Sequence, residues 1–166
     1  MTRTELVESL GLAPHPEGGF FRETYRAAER FTPEAIRAPR AVSTAILYLL
    51  GEGDKSRLHR IQSDELWHYH LGGPLRLTQL LPGGKIEETI IGSDLPAGQK
   101  LQHAVPAGAW FGAEPLEGAG FCLVGCTVAP GFDFADFELG KRNALVEEFP
   151  LAREAIVRLT PDYGCF

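Results

Sequence analysis

Between Gly53 and Gly72 two glycine turns bracket a pair of short alternating segments, and this arrangement restricts the fold more than any other feature of the chain. Gly53 and Asp54 read as a turn, residues 56–61 as a strand, residues 62–64 as a second turn, and residues 65–71 as a return strand ending at Gly72-Gly73. Side chains alternate across a strand, so His59 and Ile61 share one face, as do Glu65, Trp67 and Tyr69. If those faces line the inside of a closed sheet, an imidazole and a carboxylate point at one enclosed volume. Asp64, Leu66, His68 and His70 then stand on the opposite face, where the two histidines read as outer-surface or interface residues rather than metal ligands.

The rest of the chain repeats the pattern. Residues 42–50, 75–81, 85–91, 100–105, 109–113 and 120–128 read as further strands, and residues 19–25 as an edge strand. The 19 glycines and 12 prolines supply closely spaced turns, among them Pro82-Gly83-Gly84 and the 95–98 turn. Such a run of antiparallel strands must close or stack to bury its apolar face, which predicts an all-β jelly roll. At 166 residues the chain fits a single domain, residues 1–166, with a substantial core. Thr2 with Glu5 forms a capping-box pattern, and Leu6, Val7 and Leu10 make one stripe before Gly11, predicting a short N-terminal helix. Residues 143–149 and 151–159 predict short C-terminal helices separated by Pro150. Residues 26–40 form an exposed excursion that could act as a lid.

A net charge of −6 and a pI near 5.4 argue against a nucleic-acid surface. The first ten residues, with Arg3, Glu5 and Glu8, hold no apolar run of signal-peptide or membrane-spanning length, so a cytoplasmic protein without a membrane partner is expected. Three cysteines cannot all pair within one chain, and no Cys-x-x-Cys is present. Cys122 and Cys126 fall on a predicted buried strand, where thiols pack as small apolar groups.

The segment from Gly53 to Gly72 resembles the first motif of the cupin superfamily, with Ile61 at a position where the motif has histidine. Val105-Pro106-Ala107-Gly108-Ala109-Trp110-Phe111 is similar to the second motif, with Phe111 at its histidine position and no glycine six residues before Pro106. His15 to Phe20, Ser56 to Arg60, Ser63 to His68, Pro106 to Trp110 and Val128 to Phe132 together resemble the "cupin five" family over nearly the whole chain. That resemblance implies the cupin double-stranded β-helix, a fold similar to that of dTDP-sugar epimerases, germins and cupin phosphoglucose isomerases. It also implies a homodimer, paired through a sheet edge and an exchanged N-terminal strand.

With two of four ligand positions apolar, no cofactor is expected. The leading expectation is a small-molecule pocket for a polar metabolite, a sugar or nucleotide-sugar, epimerised or isomerised by metal-free proton transfer. In that scheme His59 is the base, Glu65 orients it and fixes its tautomer, and Tyr69 or Tyr48 is the acid. Arg22, Tyr25, Tyr48 and Gln79 are expected at the pocket mouth, with Arg22 suited to a carboxylate or phosphate, and Trp67, Trp110 and Phe111 as aromatic walls. His15, in a proline-rich loop, is expected to shape that loop. Two alternatives stand beside this reading: a non-catalytic ligand-binding cupin, and a degenerate metal-dependent dioxygenase or isomerase in which His59 and Glu65, with His103, hold a weak divalent ion.

Overall fold

None of the alternating strands can bury its apolar face alone, and they stack accordingly as two antiparallel sheets around one core. The computed structural model describes residues 1–161, so Cys165 and the end of the predicted domain lie outside the described residues. In chain order the elements are α1 (Arg3–Leu10), β1 (Ala13–Pro14), β2 (Phe20–Arg26), β3 (Arg30–Phe31), β4 (Arg40–Ala41), β5 (Thr44–Gly51) and β6 (Ser56–Arg60). There follow β7 (Asp64–Gly72), β8 (Leu75–Leu81), β9 (Lys85–Ile91), β10 (Gln102–Val105), β11 (Trp110–Pro115), β12 (Phe121–Ala129), β13 (Glu138–Leu139), α2 (Arg142–Glu148) and α3 (Arg153–Leu159).

One sheet has the order β1-β2-β5-β12-β7-β10 and the other β13-β6-β11-β8-β9, an all-β jelly roll. Their inner faces meet in a core of Tyr48, Leu50, Trp67, Leu75, Leu77, Ile91, Val105, Phe111 and Val124, each at most 1% exposed. Burying a large apolar side chain of this kind contributes roughly 1.5–3 kcal/mol. The outer face of the five-stranded sheet is covered by α2 and α3, where Leu58, Leu80 and Trp110 pack against Leu145, Phe149, Ile156 and Leu159. At one end of the six-stranded sheet α1 does the same, Leu6 meeting Leu49 and Leu123. The helix begins with the expected reciprocal Thr2–Glu5 capping box and ends at Gly11 in the left-handed conformation.

Two local expectations are corrected, and the exposed 26–40 excursion is found as expected. The strand predicted at residues 19–25 is not an edge, because β1 pairs outside it. The strand predicted from residue 100 begins at Gln102, Lys100 making only an isolated bridge to Ile91. The 26–40 excursion contains the short β3–β4 ladder, and its end is pinned by a buried bidentate pair, Arg40 Nε and Nη2 donating to Asp136 at 2.7 and 2.6 Å.

Candidate functional site

At one end of the barrel the inward faces of β2, β5, β6, β7 and β12 leave a cavity of about 250 Å³ unfilled. Cross-strand register stacks its walls: Thr44, Ile46 and Tyr48 of β5 lie opposite Val128, Cys126 and Val124 of β12, and Val128 lies opposite Glu65 of β7. All but Val124 line the cavity, with His59 and Ile61 at the end of β6.

The innermost carboxylate comes from outside the barrel strands. Glu17 precedes Gly18 and Gly19, whose φ of 118° and 71° let the chain turn tightly against β5 and the start of β6. A Cβ at Gly18 would strike the Lys55 carbonyl, and one at Gly19 the Leu49 carbonyl. The turn is tied down by Arg57 N–H donating to the Glu17 carbonyl at 2.9 Å and by the Tyr48 hydroxyl donating to the Gly18 carbonyl at 2.7 Å. Glu17 is thereby driven inward, 5% exposed, where the Ser56 hydroxyl donates to its Oε1 at 2.8 Å.

Its other oxygen meets His59. Nε2 of His59 stands 3.0 Å from Glu17 Oε2, and Nδ1 stands 2.7 Å from the Arg57 carbonyl. A carbonyl only accepts, so Nδ1 carries a proton; with a carboxylate on the other nitrogen the ring is an imidazolium donating both ways. Burial presses His59 toward the neutral form, but the Glu17 charge and hydrogen bond, with a smaller push from Glu65, carry its pKa above the ordinary histidine value. Burial likewise works against ionised Glu17, and the His59 charge and hydrogen bond outweigh it, bringing its pKa down to about 2. His15 completes this corner as a neutral ring: Nδ1 accepts from the Glu17 N–H at 3.1 Å, and burial lowers its pKa.

Glu65 is in a different state. It is 8% exposed and has no cation within ion-pair distance among the described residues. Burial raises its pKa to about 7, opposed by the charge of His59 and reinforced by that of Glu17. The Cys126 thiol beside it is pushed well above its ordinary range by burial and by the two carboxylates. Aromatic rings close the rest of the volume: Phe21 packs edge-on against His15 at 4.5 Å, and Phe132 against Phe134 at 4.9 Å.

The rim follows from a bulge in β2. Phe21 and Glu23 pair with Tyr48 and Ile46, the register then shifts at Thr24, and Arg26 pairs with Thr44, so Glu23 and Arg26 both face the cavity. Arg26 holds Glu23 through two hydrogen bonds, Nε at 2.9 Å and Nη2 at 2.7 Å.

Of the residues expected at the site, His59, Glu65 and Tyr48 line the cavity. The expected pairing of His59 with Glu65 is corrected: Glu17 takes the imidazole. Arg22 lies on the opposite face of β2 from Phe21 and Glu23, and Tyr25 is 55% exposed because the bulge reverses the alternation. Tyr69 faces the core as expected but lies away from the cavity, its hydroxyl donating to the Gly72 carbonyl at 2.6 Å. Trp67 and Phe111 are inner-core residues behind the cavity wall, Phe111 lying 4.1 Å from the His59 ring. Trp110 faces outward beneath the C-terminal helices, with Arg60 over its ring at 4.5 Å. Gln79 and His103 bond to each other at 2.9 Å outside the cavity lining. Sequence reasoning missed Glu17, Glu23, Arg26, Cys126, Phe132, Asp133 and Phe134 as cavity residues, and assigned His15 to its loop alone. The His15 to Phe20 and Val128 to Phe132 segments, already singled out for resemblance, were the available signal.

The donor set does not fit a metal. At the motif's four ligand positions Ile61 and Phe111 offer only carbon, and the His59 nitrogen facing inward is bonded to Glu17. No group of three or more His, Cys, Asp or Glu side chains among the described residues is arranged to hold an ion.

Comparison with known proteins agrees with this architecture. The family model described as "Cupin superfamily (DUF985)" matches residues 4–140. An uncharacterized protein of Saccharomyces cerevisiae is 27% identical over 146 residues, spanning 80% of this chain and 72% of the yeast protein. A hypothetical protein from Leishmania major superposes with a TM-score of 0.91 at 34% identity, covering 98% of this chain and 100% of its own. A protein from Shewanella oneidensis gives 0.89 at 36% identity, covering 97% and 98%. Oxalate decarboxylase from Bacillus subtilis, at 17% identity and a TM-score of 0.57 over 89% of this chain and 36% of that one, shares the fold alone.

Proposed function

The chain belongs to the family described as Cupin superfamily (DUF985), and on that premise we propose that its barrel cavity binds one small polar metabolite, sugar-like in size and polarity, and shifts a proton on it through Glu65. One observation carries this reading. Glu65 is a buried carboxyl that lines the cavity, has no cation within ion-pair distance among the described residues, and has its pKa raised by burial to about 7. Burying such a group costs several kcal/mol unless it is paired, and a carboxyl titrating near neutrality can both take and return a proton.

In the reaction proposed, the Glu65 carboxylate takes a proton from a carbon beside a carbonyl. The electron pair of that C–H bond moves into an enolate, whose charge the His59 imidazolium stabilises. The deprotonated carbon of the sugar bears a hydroxyl, whose proton passes to the former carbonyl oxygen of this enediolate as the Glu65 carboxyl returns its own proton to the former carbonyl carbon, so the carbonyl moves one carbon along with no net oxidation. His59 serves here as a fixed positive charge rather than as the base, because both ring nitrogens are committed to Arg57 and Glu17. A single proton carrier supports a shift along one face of the substrate. Inversion would need an acid on the opposite face, and the Tyr48 hydroxyl is committed to Gly18.

The same commitment of His59 favours, as a second reading, binding without turnover. The two separate when free sugars are incubated with the protein in deuterated water and carbon-bound deuterium is followed by NMR, beside calorimetry of binding. Turnover by Glu65 predicts incorporation that falls at least about 100-fold in Glu65→Gln. Binding with no incorporation in the native protein removes the catalytic reading, and absence of binding across the panel removes both.

A further inference from the structure

The charges that face the cavity do not balance. Four carboxyls line it, Glu17, Glu23, Glu65 and Asp133, against two cations, Arg26 and His59. Each cation is already committed. His59 Nε2 stands 3.0 Å from Glu17, and Arg26 forks onto Glu23 at 2.9 and 2.7 Å while its Nη2 also donates to the Phe132 carbonyl at 3.1 Å. Glu65 and Asp133 have no cation within ion-pair distance among the described residues; one Asp133 oxygen accepts from the Ala135 N–H at 2.9 Å.

We infer that the ligand carries no anionic group: the site takes a free sugar or polyol, presenting hydroxyl donors to the carboxyls, and excludes phosphorylated and nucleotide-linked forms. This deepens the proposed function and rests on its premise that the cavity is the ligand site. Hydroxyls can donate to carboxyl oxygens that the protein leaves under-satisfied, whereas a phosphate needs arginine, lysine or clustered N–H donors. Here it would have to strip Arg26 from Glu23 and then sit beside Asp133. Size points the same way, since about 250 Å³ falls below the roughly 300–1,000 Å³ of cavities that take drug-sized ligands.

The test is calorimetry at pH 8 and low salt with a panel of free hexoses and pentoses, their monophosphates and the corresponding nucleotide-diphosphate sugars. At least one free sugar is expected to bind, its phosphate at least about tenfold more weakly. Glu23→Gln, a rim substitution on an exposed residue, releases Arg26 and is expected to shrink that gap to less than about threefold by strengthening phosphate binding, a gain that misfolding would not produce. Phosphates binding as tightly as free sugars to the native protein, or a gap unmoved in Glu23→Gln, would overturn the inference while leaving the cavity as the ligand site. If no probe of either class binds, the inference falls together with the proposed function.

Discussion

Replacing Glu65 by glutamine keeps the side chain's shape and removes its titration, so the cost of burying this carboxyl can be read from the pH dependence of stability. Its pKa rises from 4.5 to about 7 on folding, chiefly through burial. A folded-state pKa above the unfolded value means the native protein holds the proton more tightly between those limits. Stability must therefore fall as pH rises through the interval. At about 1.4 kcal/mol per pH unit, the interval amounts to a loss of about 3 kcal/mol that is complete by about pH 8. Glutamine does not titrate, so Glu65→Gln should match the native protein near pH 4.5 and exceed it by about 3 kcal/mol at pH 8. The raised pKa of His59 also removes stability as pH rises, but that contribution is present in both proteins and largely cancels in their difference. Urea denaturation followed by tryptophan fluorescence, repeated from pH 4.5 to 8.5, measures the difference directly. A constant offset across that range, or a glutamine variant less stable at pH 8, would show that Glu65 bears no burial cost. A stabilised variant that has lost turnover would instead mark a site kept for function at the expense of stability.

Two further predictions concern how Glu17 is held. Glu17→Gln breaks a buried ion pair and should cost roughly 3–5 kcal/mol, most between about pH 4.5 and 6.5. In that window both contributions are complete: that of Glu17, present above 4.5, is lost as pH falls through about 2, and that of His59, present below 6.5, is lost as pH rises through its raised folded-state value. NMR titration of the His59 ring should show its pKa dropping in the variant; an unchanged titration would mean that Glu17 does not set its charge. Gly18→Ala places a Cβ against the Lys55 carbonyl at a φ of 118° and should cost at least about 1–3 kcal/mol, seen as a lowered melting temperature together with a lowered His59 pKa. Loss of stability with the His59 titration intact would separate the glycine turn from the placement of Glu17.

The parts of the fold that were legible are those written in local periodicity. Alternation between Gly53 and Gly72 placed His59, Ile61, Glu65, Trp67 and Tyr69 on inward faces, and the Thr2–Glu5 box and Gly11 bounded the first helix. Where alternation is interrupted, the reading failed for a physical reason. The bulge at Thr24 inserts one residue into β2, so Arg26 rather than Tyr25 reaches the cavity rim, whereas Arg22, ahead of the bulge, faces away by alternation with Phe21 and Glu23. Trp110 and Phe111 illustrate the complementary limit: adjacent residues of a strand face opposite ways, so both could not serve as walls of one pocket.

Sequence alone determined that this chain would close into a jelly roll with an imidazole and a carboxyl turned inward, because a side chain's face follows from strand period and turn position. It could not determine which carboxyl the imidazole would meet. Glu17 reaches His59 from a loop far away in the chain, and Glu65 is left without a cation. Only tertiary packing decides that contest, because proton affinity depends on burial and on the distance to neighbouring charges, neither of which residue spacing encodes.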